Sequence, residues 1–275
     1  MANSVNTNAG AFIALQNLNA TNADLAATQT RINTGKKVAS AKDNGAVWAI
    51  AQGQRADIGA LTAVKGSLDR GSSAVDVAIT AGESISDLLL QLKEKALSAT
   101  DKSLTTAARS ALNEDFKAIR DQITTVANNA DFNGVNLLKT GATGFAALAN
   151  VGGTASLTVS AEVLSLGGAN VTVAATTTIG TSTLATTALG LVNASIDKVG
   201  AALGRLGTKS KAIDTHRTFV GKLSDSLETG VGNLVDADLA KESAKLQALQ
   251  TKQQLGVQAL GIANQTPQIL LSLFK

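Results

Sequence analysis

Three acidic residues near the end of the chain come closest to a pattern that could do chemistry. Asp236, Asp238 and Glu242 lie in one short stretch, and carboxylates of this kind can hold a hard cation such as Ca²⁺. No His or Cys lies beside them, however, and acidic residues are common in the first turn of a helix because they offset its dipole. We therefore interpret the group as a solvated helix start and predict no metal site.

Other candidates for chemistry fail on residue type or order. His216 is the only histidine and the chain has no cysteine, which excludes zinc sites that need paired histidines. The segment 204–210 is faintly similar to a phosphate-binding loop, but its lysine does not follow a glycine and the segment lies in a helical pattern. The basic pair Lys36-Lys37 is typical of a solvated loop. We predict no catalytic residue and no cofactor, and hence a protein that is not an enzyme.

The composition is typical of slender helices at close spacing. The 275 residues include 3% aromatics, one proline and no tyrosine, and the net charge is only +3, with Lys and Arg scattered along the chain. Such scattering gives little support to nucleic-acid binding. No segment reaches the length of a membrane span, and no apolar run that could serve as a signal peptide precedes Arg31, the first basic residue. We expect no nucleic-acid or membrane partner, and export, if any, by a route other than general secretion.

A long apolar seam between Val47 and Ala99 is the strongest structural signal. Its period of 3.5 residues predicts one helix, about 80 Å long at 1.5 Å per residue, wound against other long helices in a bundle. The stretch Ser40–Asp43 matches a capping signal just before it. The seam consists of Val47, Ile50, Gln54, Asp57, Leu61, Val64, Leu68, Gly71, Val75, Ala78, Gly82, Ile85, Leu89, Leu92, Ala96 and Ala99.

Weaker seams of the same period occupy the two chain ends. Residues 1–32 are rich in Asn and Thr, which favour caps and turns over helix interiors, so this helix needs a partner to stay folded. The C-terminal segment, in which Pro267 precedes an apolar tail, is the obvious partner. The N-terminal seam is Ala11, Leu15, Leu18, Asn22, Leu25, Gln29 and Ile32, and the C-terminal seam is Leu239, Leu246, Leu249, Leu260 and Ala263.

The middle of the chain changes from helix to strand and back. Seams over Leu112–Ala130 and Val192–Leu234 predict two further helices, and Asn133-Gly134 predicts a hairpin turn. From Thr140 to Thr187 the helical period disappears, and alternating stretches at 156–160 and 170–174 predict one or two β-hairpins with Ser/Thr-rich, exposed loops. The predicted fold is mainly α: a long antiparallel bundle or coiled coil formed by both chain ends, with a small β-hairpin region in the middle.

Short motifs lie near both ends of the chain. In the N-terminal half they are Val5-Asn6-Thr7-Asn8, Asn17-Leu18-Asn19, Arg31-Ile32-Asn33-Thr34-Gly35, Ala39-Ser40-Ala41-Lys42-Asp43, Ala49-Ile50-Ala51 and Phe132-Asn133-Gly134-Val135-Asn136-Leu137-Leu138. In the C-terminal part they are Asn233-Leu234, Asp236-Ala237-Asp238-Leu239-Ala240-Lys241-Glu242, Ala263-Asn264-Gln265-Thr266-Pro267-Gln268 and Leu270-Leu271-Ser272-Leu273. Together, and at this spacing, they resemble the bacterial flagellins closely, here in a short form without room for large outer domains.

This resemblance implies a structural subunit that polymerises into the helical flagellar filament for motility. Residues 1–35 and 236–275 would be the N- and C-terminal inner coiled-coil segments, 36–140 and 189–235 the two halves of the rod domain, and 141–188 an outward-facing, β-rich variable segment. The residues expected to make self-assembly contacts are Val5, Phe12, Leu15, Leu18, Leu25, Ile32, Leu246, Leu249, Leu260, Leu270 and Leu271.

The resemblance also implies partners, a location and a modification. The expected partners are copies of the chain and paralogous flagellins, the filament cap and hook–filament junction proteins, and the flagellar type III export apparatus with its chaperone. The expected location is extracellular, in the flagellar filament, after export without a cleaved signal peptide. Candidate O-glycosylation positions are the hydroxyls of Thr154, Ser156, Thr158, Thr172, Thr176, Thr177, Thr178, Thr181, Ser182 and Thr183.

Two alternatives stay open from the sequence. A hook–filament junction protein resembles flagellin at both termini, although the complete C-terminal pattern Asn264-Gln265-x-Pro267-Gln268 favours flagellin itself. An exported helical adhesin or immune ligand is the second alternative. It would remain monomeric, whereas a filament subunit would elongate filament seeds.

Overall fold

A computed structural model describes residues 7–272, with side chains to residue 265. The chain divides into two compact units. The first unit combines the two chain ends, residues 1–56 and 226–275, and the second contains residues 57–225. Among the described residues, no helix combines the length and the apolar character that crossing a membrane would require.

Five helices and two small sheets make up the described chain. The predicted fold class, mainly helical with a small β region in the middle, is confirmed. In chain order the elements are α1 (Ala9–Thr34), α2 (Gly45–Ala99), α3 (Thr106–Asn129), β1 (Asp131–Phe132), β2 (Val135–Asn136), β3 (Phe145–Leu148), β4 (Ser156–Val159), α4 (Ser182–Val235) and α5 (Leu239–Ser272).

Local hydrogen bonds fix where α1 ends and α2 begins. Gly35 ends α1 in the left-handed region, with φ at 68°, a conformation that glycine adopts without strain. The cap of α2 is Asn44, whose Oδ1 accepts from the Val47 amide at 3.1 Å. Asn44, and not the predicted stretch Ser40–Asp43, therefore caps α2. The Asp43 carboxylate does accept from the Ser40 amide at 2.8 Å, which is one of the two bonds of the capping pattern, and this bond closes the loop before the helix.

The second unit has a core of helices α2, α3 and α4. The predicted long seam is confirmed between Leu61 and Ala99, where its aliphatic positions are buried. Gly71 and Gly82 lie in the seam because ring or methyl carbons of Phe145 and Leu203 occupy the space that a Cβ would need. The largest fully buried side chains of these helices are Phe116, Leu68, Ile85, Leu89, Leu92, Ile123, Leu206 and Ile213.

The seam is shifted near the start of α2. Ile50 is exposed, and Ala51 is buried in its place, so the predicted seam is wrong at this position. The drift of an α-helix from a strict 3.5 repeat amounts to only about 30° over this distance, which is too little to account for a shift of one residue. Ala51 belongs to the first compact unit and Leu61 to the second, so the two positions are buried in different units and need not share one seam.

The β region contains one short ribbon and one hairpin. Strands β1 and β2 pair across Asn133 and Gly134, both with positive φ, which confirms the predicted turn. Strands β3 and β4 pair antiparallel from Phe145↔Val159 to Leu148↔Ser156, which confirms a strand in the first alternating stretch.

The second alternating stretch, residues 170–174, is not a strand. Thr172 bonds to α4: its amide donates to Ser195 Oγ at 2.9 Å, and its hydroxyl donates to the Leu191 carbonyl at 2.9 Å. The Val173 carbonyl accepts from the Gly167 amide at 2.8 Å, and Val171 makes only an isolated bridge with Leu166. Helix α4 also starts earlier than its predicted seam, at Ser182, because Thr181 Oγ1 accepts from the Leu184 amide and caps it.

Candidate assembly surface

Helices α1 and α5 of the first unit pack antiparallel as a pair. Near the start of α1, Asn8 Nδ2 donates to the Ala263 carbonyl at 2.7 Å. In the middle, Gln253 Nε2 donates to Asn22 Oδ1 at 2.7 Å. Near the end of α1, a guanidinium nitrogen of Arg31 lies 3.3 Å from a Glu242 carboxylate oxygen. These three bonds define the register of the pair.

The α1 side of this pair differs from the predicted seam. Thr21 and Thr28 are buried, whereas Leu15, Asn22 and Gln29 are exposed, so the predicted seam is wrong at alternate positions. From Ala11 onwards, the buried or half-buried positions follow one another at steps of three and then four residues, whereas the predicted seam takes steps of four and then three. The buried or half-buried positions at heptad spacing are Ala11, Ala14, Leu18, Thr21, Leu25, Thr28 and Ile32.

The α5 side of the pair combines leucines with small or polar residues. Leu249 is buried, whereas the predicted first seam residue, Leu239, is 49% exposed. A Cβ at Gly256 would lie 3.3 Å from a Leu18 methyl carbon, so the glycine lets the two helices approach closely. The buried or half-buried positions at heptad spacing are Glu242, Leu246, Leu249, Gln253, Gly256, Leu260 and Ala263.

Large apolar side chains lie outside this seam. Phe12 and Ile13 are 64% and 60% exposed, and Leu255 and Val257 are 58% and 56% exposed. We call the exposed residues Phe12, Ile13, Leu15, Leu255 and Val257 the outer apolar face of the pair; it extends along both sides of the seam, because Leu255 and Val257 lie about 200° apart around α5. A helix that is apolar on more than one face is normally buried on more than one face.

The structure describes the side chains of eight of the eleven predicted self-assembly residues, and these eight fall into two groups. Phe12 and Leu15 belong to the outer apolar face. Val5 lies outside the described residues, and the side chains of Leu270 and Leu271 are also outside them. The others lie in the seam within the chain, namely Leu18, Leu25, Ile32, Leu246, Leu249 and Leu260. Ile13, Leu255 and Val257 were not among the predicted residues because they are not on the heptad seam; their large apolar side chains beside that seam were the signal.

The acidic residues near the start of α5 have structural partners. Asp238 Oδ1 accepts from the Ala240 and Lys241 amides, both at 3.1 Å, so this residue caps α5 as predicted. Glu242 is not solvated as predicted: its side chain is 12% exposed and pairs with Arg31 on α1. Among the described residues, no group of three or more His, Cys, Asp or Glu side chains could hold a metal ion.

The two linkers beside this site are tied together by backbone bonds. The Lys37 amide donates to the Val235 carbonyl at 2.8 Å, and the Ala237 amide donates to the Gly35 carbonyl at 2.9 Å. Lys37 Nζ also donates to the Asn233 carbonyl at 3.2 Å. The segment predicted as a solvated basic loop therefore joins the end of α1 to the end of α4.

The other residues considered for chemistry lie on α4. His216 Nε2 lies 2.7 Å from the Ala149 carbonyl oxygen, which holds the β3–β4 hairpin on the helix. Arg205, within the loop-like segment 204–210, makes a bidentate pair with Glu162 through contacts of 2.7 and 2.6 Å. This hydrogen bonding raises the pKa of Arg205 above its ordinary value.

The candidate glycosylation hydroxyls differ in accessibility. Thr154, Thr172, Thr177, Thr181 and Ser182 use their hydroxyls in hydrogen bonds within the chain. Thr178 is half-buried. The positions that are exposed and whose hydroxyls have no hydrogen bond within the described chain are Ser156, Thr158, Thr176 and Thr183.

Comparison with known proteins places this helical subunit in a family. The bacterial flagellin N-terminal helical region matches residues 5–143, and the bacterial flagellin C-terminal helical region matches residues 189–274. The chain is 58% identical to flagellin FljM of Caulobacter vibrioides over 273 residues, with 99% of each chain covered. It is 37% identical to a flagellin of Brucella melitensis over 293 residues, again with 99% of each covered.

Solved structures support the fold. A Bacillus cereus flagellin matches with a TM-score of 0.50 and 17% identity, covering 56% of this chain and 88% of that one. A putative flagellar hook-associated protein from Vibrio parahaemolyticus matches with a TM-score of 0.56 and 14% identity, covering 70% and 100%. The family matches at both chain ends identify the chain as a structural subunit of a helical filament. The chain belongs to the bacterial flagellin family, whose members are structural subunits of the extracellular flagellar filament and polymerise with copies of themselves and with related flagellins.

Proposed function

We propose that this chain polymerises through the outer apolar face of the α1–α5 pair, which packs against the same helices of neighbouring copies. The observation that carries the proposal is the exposure of Phe12, Ile13, Leu255 and Val257 outside the seam of the pair. Burying a large apolar side chain contributes about 1.5–3 kcal/mol. For these side chains, only neighbouring copies can supply that burial.

The test compares two double variants on α1. Phe12→Ser with Ile13→Ser removes the outer apolar face, and Gln16→Ser with Asn19→Ser changes two exposed polar residues of the same helix. We expect the first variant to raise the critical concentration for filament growth more than about tenfold, since more than 1.4 kcal/mol is lost at each contact. The control should assemble like the unchanged chain. Normal assembly of the first variant would refute the proposal.

We further propose the layers of the filament that the resemblance implies. Residues 1–35 and 236–275 would be the inner layer, 36–140 and 189–235 the rod, and 141–188 the outward segment. The grouping of both chain ends into one unit supports the inner assignment. Limited proteolysis of intact filaments tests it, because cleavage should occur within 141–188 and spare α1. Cleavage of α1 first would contradict it.

The remaining partners are proposed from family membership. Within the family, the chain would be exported without a cleaved signal peptide by the flagellar type III apparatus with a chaperone, and would contact the cap and the hook–filament junction proteins at the filament ends. It would have no catalytic role. Extracellular protein from cells with and without a working export apparatus tests the route. Equal amounts outside both kinds of cell would refute it.

O-linked sugars are proposed on a subset of the predicted hydroxyls. Four of these positions are exposed, and their hydroxyls make no hydrogen bond within the described chain: Ser156, Thr158, Thr176 and Thr183. A sugar attached at these hydroxyls would therefore break no hydrogen bond of the fold. Peptide mass spectrometry of native filaments should locate added mass on these residues and none on Thr172, whose hydroxyl is bonded to α4. An intact mass equal to that of the bare chain would refute the modification.

A further inference from the structure

A narrow row of acidic side chains follows the outer surface of α2 in the second unit. Asp76, Glu83, Asp87 and Glu94 are all exposed. At about 100° per residue, they lie within about 40° of one another around the helix. Among the described residues, none of the four forms an ion pair with a cation. We call these four residues the acidic stripe.

A row of cations with the same spacing lies on α4. Lys198, Arg205 and Lys209 are exposed and are separated by seven and four positions, as are Glu94, Asp87 and Glu83 when read backwards. We call these three residues the basic stripe. Two surfaces with opposite charge and equal spacing on one chain are complementary between copies of that chain.

The two stripes do not meet within one subunit. Neither Lys198 nor Lys209 forms an ion pair in the described chain, and Arg205 pairs with Glu162 in the segment before α4. That bidentate pair uses Nε and Nη2 of Arg205, which leaves Nη1 available. It also holds the guanidinium in place, so that less side-chain entropy is lost when a further partner binds.

The direction of the helices decides how two copies would pair. Within the second unit, α2 and α4 are antiparallel, because Asp69 pairs with Arg217 at 3.2 Å while Ser182 Oγ donates to the Thr100 carbonyl at 2.8 Å. In an open helical polymer, neighbouring subunits keep the same polarity. The α2 helix of one copy and the α4 helix of the next are therefore antiparallel as well.

From this geometry we propose that the acidic stripe of one subunit contacts the basic stripe of a second copy in the filament, pairing Glu83 with Lys209, Asp87 with Arg205, and Glu94 with Lys198. The inference rests on the proposed function, since it needs the chain to polymerise. The paired positions cover about 16 Å along each helix at 1.5 Å per residue.

An exposed leucine fits the same arrangement. Leu90 lies beside the acidic stripe and is 51% exposed. In the antiparallel register, it lies level with the buried Ala202 of the second copy and beside the exposed Ala201, a side chain small enough to leave room for it. A contact with a charged rim and an apolar centre is typical of protein interfaces. Exposed ion pairs are individually weak, so the stripes mainly set the register and the rate of association between subunits.

Charge reversal with complementation tests the contact. Glu83→Lys and Lys209→Glu each place like charges opposite one another, and we expect each alone to raise the critical concentration for filament growth about tenfold or more. The double variant should return to within about twofold of the unchanged chain. A one-to-one mixture of the two single variants should also assemble, since each restores the partner of the other.

A charge reversal outside the basic stripe serves as the control. Lys211→Glu makes the same charge change two residues away on another side of α4 and should leave assembly unchanged. Normal assembly of both single variants, failure of the double variant, or an equal defect in Lys211→Glu would overturn the proposal. A melting temperature of each variant monomer equal to that of the unchanged monomer confirms that the variant folds. If the unchanged chain formed no filaments, the proposed function itself would fail, and the stripe contact with it.

Discussion

The α1–α5 pair and the three-helix core of the second unit share one heptad period but differ in the residues that occupy it. In the core, the period places Leu68, Leu89 and Phe116 in full burial. In the pair, it places Thr21, Thr28 and Gly256 in the seam and leaves Phe12 on the outside. The same pattern therefore produces a self-sufficient core in one region and an unfinished one in the other.

This difference shows that the period of a seam and the size of its residues carry separate information. The period predicts that helices pair, and the residue size predicts how much of the apolar surface the pair itself can bury. Where the large side chains are outside the seam, we expect further copies to complete the structure. Folding of the chain ends and growth of the polymer would then be coupled.

Hydrogen exchange of the monomer gives the largest expected contrast between the two regions. Amides of α1 should exchange at least about a hundredfold faster than those of α2 between Leu61 and Ala99, because a short, polar seam opens at much lower cost than a buried core. In the filament, both regions should be protected. Protection of α1 in the free monomer equal to that of α2 would contradict the coupling between folding and assembly.

Truncation of one buried side chain in each region should separate them further. Phe116→Ala removes a fully buried ring from the core and should lower the free energy of unfolding of the monomer by about 3–5 kcal/mol. Leu25→Ala removes a half-buried side chain from the pair and should lower it by less than about 1 kcal/mol. Denaturant melts of the monomer measure both values, and equal losses would show that the pair is as well packed as the core.

A smaller change should strengthen the pair. Thr28 is fully buried and its hydroxyl has no hydrogen-bond partner, so Thr28→Val, a change of nearly equal shape, should stabilise α1 by about 1 kcal/mol. Thr21→Val is the matched control, because the Thr21 hydroxyl donates to the Asn17 carbonyl at 2.9 Å. Slower exchange of α1 amides in the first variant alone is the expected result. An identical response of both variants would exclude the buried hydroxyl as the cause.

The same comparison explains what the sequence could predict. The seam from Leu61 to Ala99 was predictable because large aliphatic side chains repeat there without ambiguity. The seam of α1 was not, because Leu15 and Ala14 both continue the pattern and size favours the wrong one. The stretch 170–174 alternates like a strand, yet its Thr172 bonds to α4, and no local pattern specifies that a helix instead of a strand will satisfy a backbone amide.

The least pronounced effect concerns the loop before α2, which the Asp43 carboxylate closes by accepting from the Ala39 and Ser40 amides. The Ser40 amide, followed by the Ala39 amide and the Ser40 hydroxyl, holds the pKa of Asp43 below its ordinary value. A carboxylate with a depressed pKa stabilises the folded loop above its unfolded value of about 3.9, and this contribution is lost as the pH falls through the folded value. In NMR spectra of the monomer, the Ala39 and Ser40 amide shifts should therefore titrate with a midpoint below about 3.9. Asp43→Asn should abolish that titration while leaving the Val47 amide, which is capped by Asn44, unchanged. A midpoint at or above the ordinary value would show that these amides do not hold the carboxylate in solution.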